Sequence, residues 1–96
     1  MKRLWSIFTD DMDCCMYTGM YGVERHHVFS HTSRERKLCE KYGFIAPLTP
    51  SLHPNGVHAG KDAAKVDKEL RQKCREYYIA HYGNEEQFRQ EFYYSS

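Results

Sequence analysis

The sequence predicts an α+β fold: two short strands with a short helix inserted between them, then a long amphipathic C-terminal helix and a short last helix. Three observations carry this. Two runs rich in strand-forming residues, Val23–Phe29 and Phe44–Leu48, are separated by a helix-cap signature. From Lys61 to Tyr82 the apolar positions Ala63, Val66, Leu70, Cys74 and Tyr77/Tyr78 recur at three- and four-residue spacing, the period of one helix face. Gly83 and Asn84 then close that helix and cap another.

In chain order, residues 3–9 carry Trp5, Ile7 and Phe8 in loose alternation and read as a first edge strand. Asp10-Asp11-Met12-Asp13 is an acidic loop without the regular spacing of a calcium site, so a solvated connection is expected. Gly19 and Gly22 bracket a turn into the next strand, which suggests a hairpin. Thr32 and Glu35 have the spacing of a capping box, which predicts a helix over about 33–42 stopped by Gly43. The turn-rich stretch from Thr49 to Gly56 follows the second strand, because Pro-Asn-Gly cannot propagate a helix. Phe88 and Phe92 give the last helix its apolar stripe, with Gln87 at its third position.

Ninety-six residues suffice for one domain, 1–96, with a core from about 14 to 60 and helices from about 61 to 94. Fourteen basic and 13 acidic residues leave a charge of +1, so no global electrostatic footprint announces nucleic acid. No run of apolar residues is long enough to span a membrane. The apolar stretch from Leu4 to Phe8 is too short for a signal peptide, so a cytoplasmic protein with four reduced cysteines (Cys14, Cys15, Cys39, Cys74) is expected.

The chemistry concentrates in histidine. His26 and His27 are adjacent in the first main strand, and neighbours in a strand point to opposite faces. His53 and His58 follow the second strand. Imidazoles in this number suit a divalent ion such as zinc or nickel, with a further histidine free to activate water. Glu24 reads as a solvated strand carboxylate, with orientation of an imidazole as the alternative. Arg25, Arg34, Arg36 and Lys37 surround the presumed site as candidate phosphate contacts, or else form an ordinary charged face. His31 reads as a surface residue and His81 as a helix-packing one. The tyrosines 77, 78, 82, 93 and 94 are core and rim, or a protein-binding surface.

Glu24-Arg25-His26-His27-Val28-Phe29, then Glu40-Lys41-Tyr42-Gly43, a strand, and Gly56-Val57-His58 before a long amphipathic helix together resemble small phage-encoded HNH-type proteins of the ββα-metal nuclease superfamily, to which the colicin DNases belong. The resemblance covers about residues 14–94. It implies a compact ββα-metal-like core and a DNA endonuclease dependent on a divalent metal (magnesium, manganese, nickel or zinc). Carried over by position, His26, His53 and His58 match metal ligands, His27 the general base, and Asn55 the positioning asparagine. Many relatives carry Cys-x-x-Cys-Gly where this chain has Cys15-Met16-Tyr17-Thr18-Gly19, and a second cysteine pair where it has Leu48-Thr49-Pro50. The alternative reading is therefore a scaffold that has lost catalysis and binds a protein, such as a phage inhibitor of a host defence complex. A non-catalytic DNA-binding module is a third reading, disfavoured by the near-neutral charge.

Overall fold

The computed structural model describes residues 4–53 and 59–92. The fold is α+β, in the order β1 (Glu24–His27), α1 (Ser33–Tyr42), β2 (Ile45–Leu48), α2 (Ala63–His81) and α3 (Glu85–Glu91). His58 and Asn55, both singled out in the sequence, lie outside the described residues, as do Tyr93 and Tyr94.

The two strands pair antiparallel, with Glu24 opposite Leu48, Arg25 opposite Pro47, His26 opposite Ala46 and His27 opposite Ile45. A further bond from Val28 N–H to the Phe44 carbonyl extends the pairing past β1. Pro47 has no N–H to give, which suits an edge strand. Its carbonyl is not wasted, because Met16 N–H donates to it at 3.0 Å and the 14–21 turn thereby straps the sheet.

Both ends of α1 follow from local chemistry. Thr32 is extended and its hydroxyl accepts from Glu35 N–H. The Glu35 carboxylate reaches back to His31 N–H, one residue earlier than a regular capping box would take it. At the other end Gly43 adopts a left-handed φ of 76° and its N–H bonds the Cys39 carbonyl. A side chain at Gly43 would collide with the Trp5 ring, since an added Cβ would sit 2.7 Å from it.

The expected edge strand at residues 3–9 is not formed over the described part of that stretch. Ile7 N–H instead donates to the Gly43 carbonyl and the Trp5 indole N–H to the Glu40 carbonyl. These contacts use the segment to satisfy the open C-terminal carbonyls of α1, so it has no strand to pair with. The expected hairpin also shrinks, to a single bridge between Cys14 and Tyr21. Gly19 and Gly22 both have positive φ (74° and 81°) and turn the chain twice within a few residues, which stops a ladder from growing.

α2 buries Ala63, Val66, Leu70, Cys74 and Tyr78, the stripe expected from spacing. α3 starts in a complete capping box between Asn84 and Gln87 and brings Phe88 and Phe92 into the centre of the molecule. There Phe29, Phe44, Phe88 and Phe92 form an aromatic core with ring centroids 4.8–6.2 Å apart. Tyr42 and Tyr78 border it, and both hydroxyls donate to the single carboxylate of Glu91. All four cysteines are free, and Cys39 and Cys74 are fully buried, one in each of two helices. No helix among the described residues is long and apolar enough to cross a membrane.

Candidate functional site

Strand alternation divides the conspicuous residues of β1 into two sets. Glu24 and His26 project toward α2 and the end of β2, whereas Arg25 and His27 project toward α1 and the N-terminal segment. Each set meets different partners.

On the α2 side, His26 is buried (2% exposed) and its Nε2 lies 3.5 Å from Oδ1 of Asp67. The His53 ring stands edge-on to it, with centroids 5.0 Å apart. Glu24 Oε1 holds His53 Nδ1 at 2.5 Å, so the alternative role weighed for Glu24, that of orienting an imidazole, is the one observed. With Nδ1 directed at that carboxylate, Nε2 of His53 is the nitrogen left for chemistry. One turn along α2, Arg71 Nε lies 3.2 Å from the other oxygen of Asp67.

The polar atoms at the centre of this group are not satisfied. His26 Nε2, Asp67 Oδ1 and Arg71 Nε are buried, and none has a hydrogen-bond partner among the described residues. At 3.5 Å the His26–Asp67 approach is long for a hydrogen bond, whose usual range is about 2.7–3.2 Å. It matches a different spacing. Two ligand atoms on a tetrahedral zinc ion, each bonded at about 2.1 Å, lie about 3.4 Å apart. An imidazole nitrogen and a carboxylate oxygen are also a donor pair that such ions accept. The pair therefore fits a divalent cation, although among the described residues no three His, Cys, Asp or Glu side chains are grouped closely enough to hold one by themselves.

The electrostatics set the charge states of the pair. Burial lowers the His26 pKa from its ordinary value; Asp67 opposes this, while His53 and Arg71 reinforce it. Burial works against the Asp67 carboxylate, but His26 and Arg71 outweigh it and lower its pKa. The result is a neutral imidazole facing an ionised carboxylate.

On the α1 side, His27 Nε2 meets Glu40 Oε2 at 3.1 Å. Arg25 pairs with Asp13 at 3.1 Å in an exposed bridge, which gives part of the acidic loop a partner. Arg34, Arg36 and Lys37 are exposed on α1, and helical spacing puts Arg36 and Lys37 on the side of Glu40. The candidate phosphate contacts thus gather with His27, away from the His26–Asp67 pair. His31 and His81 are exposed, and His81 stacks on Tyr77 with centroids 4.3 Å apart.

Of the four histidines singled out in the sequence, His26 and His53 come together, and His27 faces another helix. Asp67 and Arg71 were absent from the sequence-based site. On a helical wheel they look like ordinary charges flanking the Val66–Leu70 stripe. The available signal was that an acid and a base four residues apart border the apolar face instead of opposing it.

Compared with known proteins, the chain matches no protein-family model, no curated protein and no solved structure.

Proposed function

We propose that this protein is a metal-dependent endonuclease of HNH type that cleaves DNA phosphodiester bonds, in keeping with the resemblance to small phage-encoded members of that class. The observation that carries the reading is the buried, unsatisfied His26–Asp67 pair at the spacing of two metal ligands, with His53 beside it. His26 Nε2 and Asp67 Oδ1 would hold the ion, of the magnesium, manganese, nickel or zinc kind, with waters completing its set.

A divalent cation bound there supplies charge stabilisation to the phosphodiester transition state and to the leaving oxygen. The chain's own residues supply the rest. His53 Nε2 accepts a proton from the attacking water, and Glu24 both orients the ring and stabilises the imidazolium that forms. His27, held by Glu40, is the base implied by the family resemblance, but the α1 side of β1 separates it from the pair. We therefore assign proton abstraction to His53. The test is cleavage of plasmid DNA with each ion by wild type, His53→Ala and His27→Ala. Loss of cleavage with His53→Ala and retention with His27→Ala is the expected result. The reverse pattern returns the base to His27, and intact plasmid under every ion removes the nuclease reading.

One observation favours a second reading, a catalytically inactive scaffold that binds a protein, such as an inhibitor of a host defence complex. Tyr17, Met20 and Tyr21 are exposed together on the turn that straps β2, with Tyr21 76% exposed. Exposed aromatic and methionine side chains in one patch are typical of interfaces. This patch lies on the turn, while among the described residues of the C-terminal region Tyr78 is buried and Tyr82 is exposed. A stable complex abolished by Tyr21→Ser, in a protein without cleavage activity, would favour this reading.

A further inference from the structure

We propose that the tyrosine-lined cavity where the C-terminal ends of the three helices meet binds a guanidinium group. This is independent of the nuclease reading, because it uses none of the residues around His26.

The cavity measures about 450 Å³, within the size range of small-ligand sites. Apart from Gln87, its lining among the described residues comes from helix ends: Lys41 and Tyr42 finish α1, Tyr78 and Tyr82 finish α2, and Gln90 and Glu91 finish α3. A helix C-terminus carries partial negative charge, about half an elementary charge on a helix of several turns. Three such ends and the Glu91 carboxylate face a single lining cation, that of Lys41. The balance is negative, so the cavity favours a second cation.

Two further features narrow the kind of cation. Tyr42 and Tyr78 each have one hydroxyl hydrogen, and both give it to Glu91. Their oxygens and the carboxylate between them are left with lone pairs only, so this wall accepts hydrogen bonds and donates none. The rings supply the second feature. Tyr42, Tyr78 and Tyr82 stand with centroids 4.7–5.8 Å apart, and Tyr42 crosses Tyr78 at 84°. A ring face attracts a cation, and Lys41 Nζ already lies 5.2 Å from the Tyr42 centroid. Tyr82 is 47% exposed and is the wall a ligand reaches first. Guanidinium meets both demands at once: its plane stacks on a ring while its N–H edge donates to the oxygens, and its weak hydration makes it cheap to bring in. Tetramethylammonium has no N–H to offer them, and a compact ammonium has no plane to stack.

The experiment titrates the full chain with methylguanidinium at non-denaturing, millimolar concentrations and follows amide shifts by NMR. Sodium chloride at matched ionic strength is the blank, and methylammonium and tetramethylammonium are the rival probes. Wild type is compared with Tyr82→Phe, Tyr82→Leu and Lys41→Gln, all changes at exposed positions that leave the aromatic core in place. Methylguanidinium should give saturable shifts at Tyr42, Tyr82 and Gln90, and it should bind more tightly than either rival. Tyr82→Leu should weaken it roughly twofold to fivefold, the worth of one exposed ring under a cation, and Tyr82→Phe should restore it. Lys41→Gln should tighten it by up to about fivefold, because an exposed like charge is removed. Shifts that fail to saturate or that match the sodium blank overturn the proposal. So does tetramethylammonium or methylammonium binding as tightly as methylguanidinium, or a Tyr82→Leu variant that binds as wild type does.

Discussion

Replacing His26 by leucine separates what the residue costs from what it does. His26 Nε2 is buried and has no hydrogen-bond partner among the described residues, a condition that costs about 1–3 kcal/mol. Leucine removes that atom and adds apolar contact in a site only 2% exposed. Imperfect fit takes back up to about 1.5 kcal/mol. Asp67 also loses the imidazole that favours its ionised form, a cost of about 1 kcal/mol, so the expected balance in the presence of a chelator is near zero. On the proposed ion binding, added ion favours wild type: at 100 times the Kd it would stabilise wild type by about 2.7 kcal/mol and leave His26→Leu unmoved. Acid adds a third signature. Folded His26 takes up its proton at lower pH than the unfolded chain does, so from the ordinary value of 6.5 downward the unfolded chain binds more protons. Wild-type stability therefore falls as pH drops through that window, and His26→Leu loses this part of the dependence. Thermal melts followed by circular dichroism, with chelator, zinc or manganese at several pH values, read all three. A leucine variant much less stable than wild type in chelator, together with a wild-type melt indifferent to every ion, would refute the reasoning.

Further outcomes follow from the same structure. Glu91→Ala should cost about 1–3 kcal/mol in urea unfolding, because it leaves the Tyr42 and Tyr78 hydroxyls without their common acceptor. Burial and Glu91 push the Tyr42 pKa up to about 12, and Tyr78 moves in the same direction. Their stabilising effect is thus complete below the ordinary tyrosine value of 10 and lost as pH rises toward 12; ultraviolet titration should show tyrosines ionising late in wild type and earlier in Glu91→Ala. Gly43→Ala should cost about 1–2 kcal/mol from its left-handed backbone alone. It should also shift the emission of Trp5, the sole tryptophan, as the ring is displaced. Asn84→Ala should lose about 1 kcal/mol with its cap, read by urea denaturation.

The parts of the fold that were legible are those written in short-range chemistry. Thr32, Gly43 and Asn84 fix helix ends through bonds to residues three or four positions away, and such bonds are visible as spacing. The α2 stripe was legible for the same reason, since helical period is a local property. Residues 4–9 failed because Trp5 and Ile7 are claimed by carbonyls at Glu40 and Gly43, more than thirty positions away. The candidate site divides along the same line. The alternation of His26 and His27 was readable from β1 alone, but which helix would meet each face depends on how α1 and α2 pack. That is why Asp67, Arg71 and Glu40 entered only with the structure.

The pairing of His26 with Ala46 and His27 with Ile45 has a consequence for how this chain tolerates change in length. A change in length before β1 that slid His27 into the place of His26 would leave an imidazole facing α2, because both positions are histidine. The residue two places upstream would not be conserved in kind: Arg25 would take the place of Glu24 beside His53, and a cation would stand where a carboxylate now holds the ring. The doubled histidine makes the α2-facing imidazole tolerant of that slide, while the alternating Glu-Arg before it makes the carboxylate beside His53 intolerant of it.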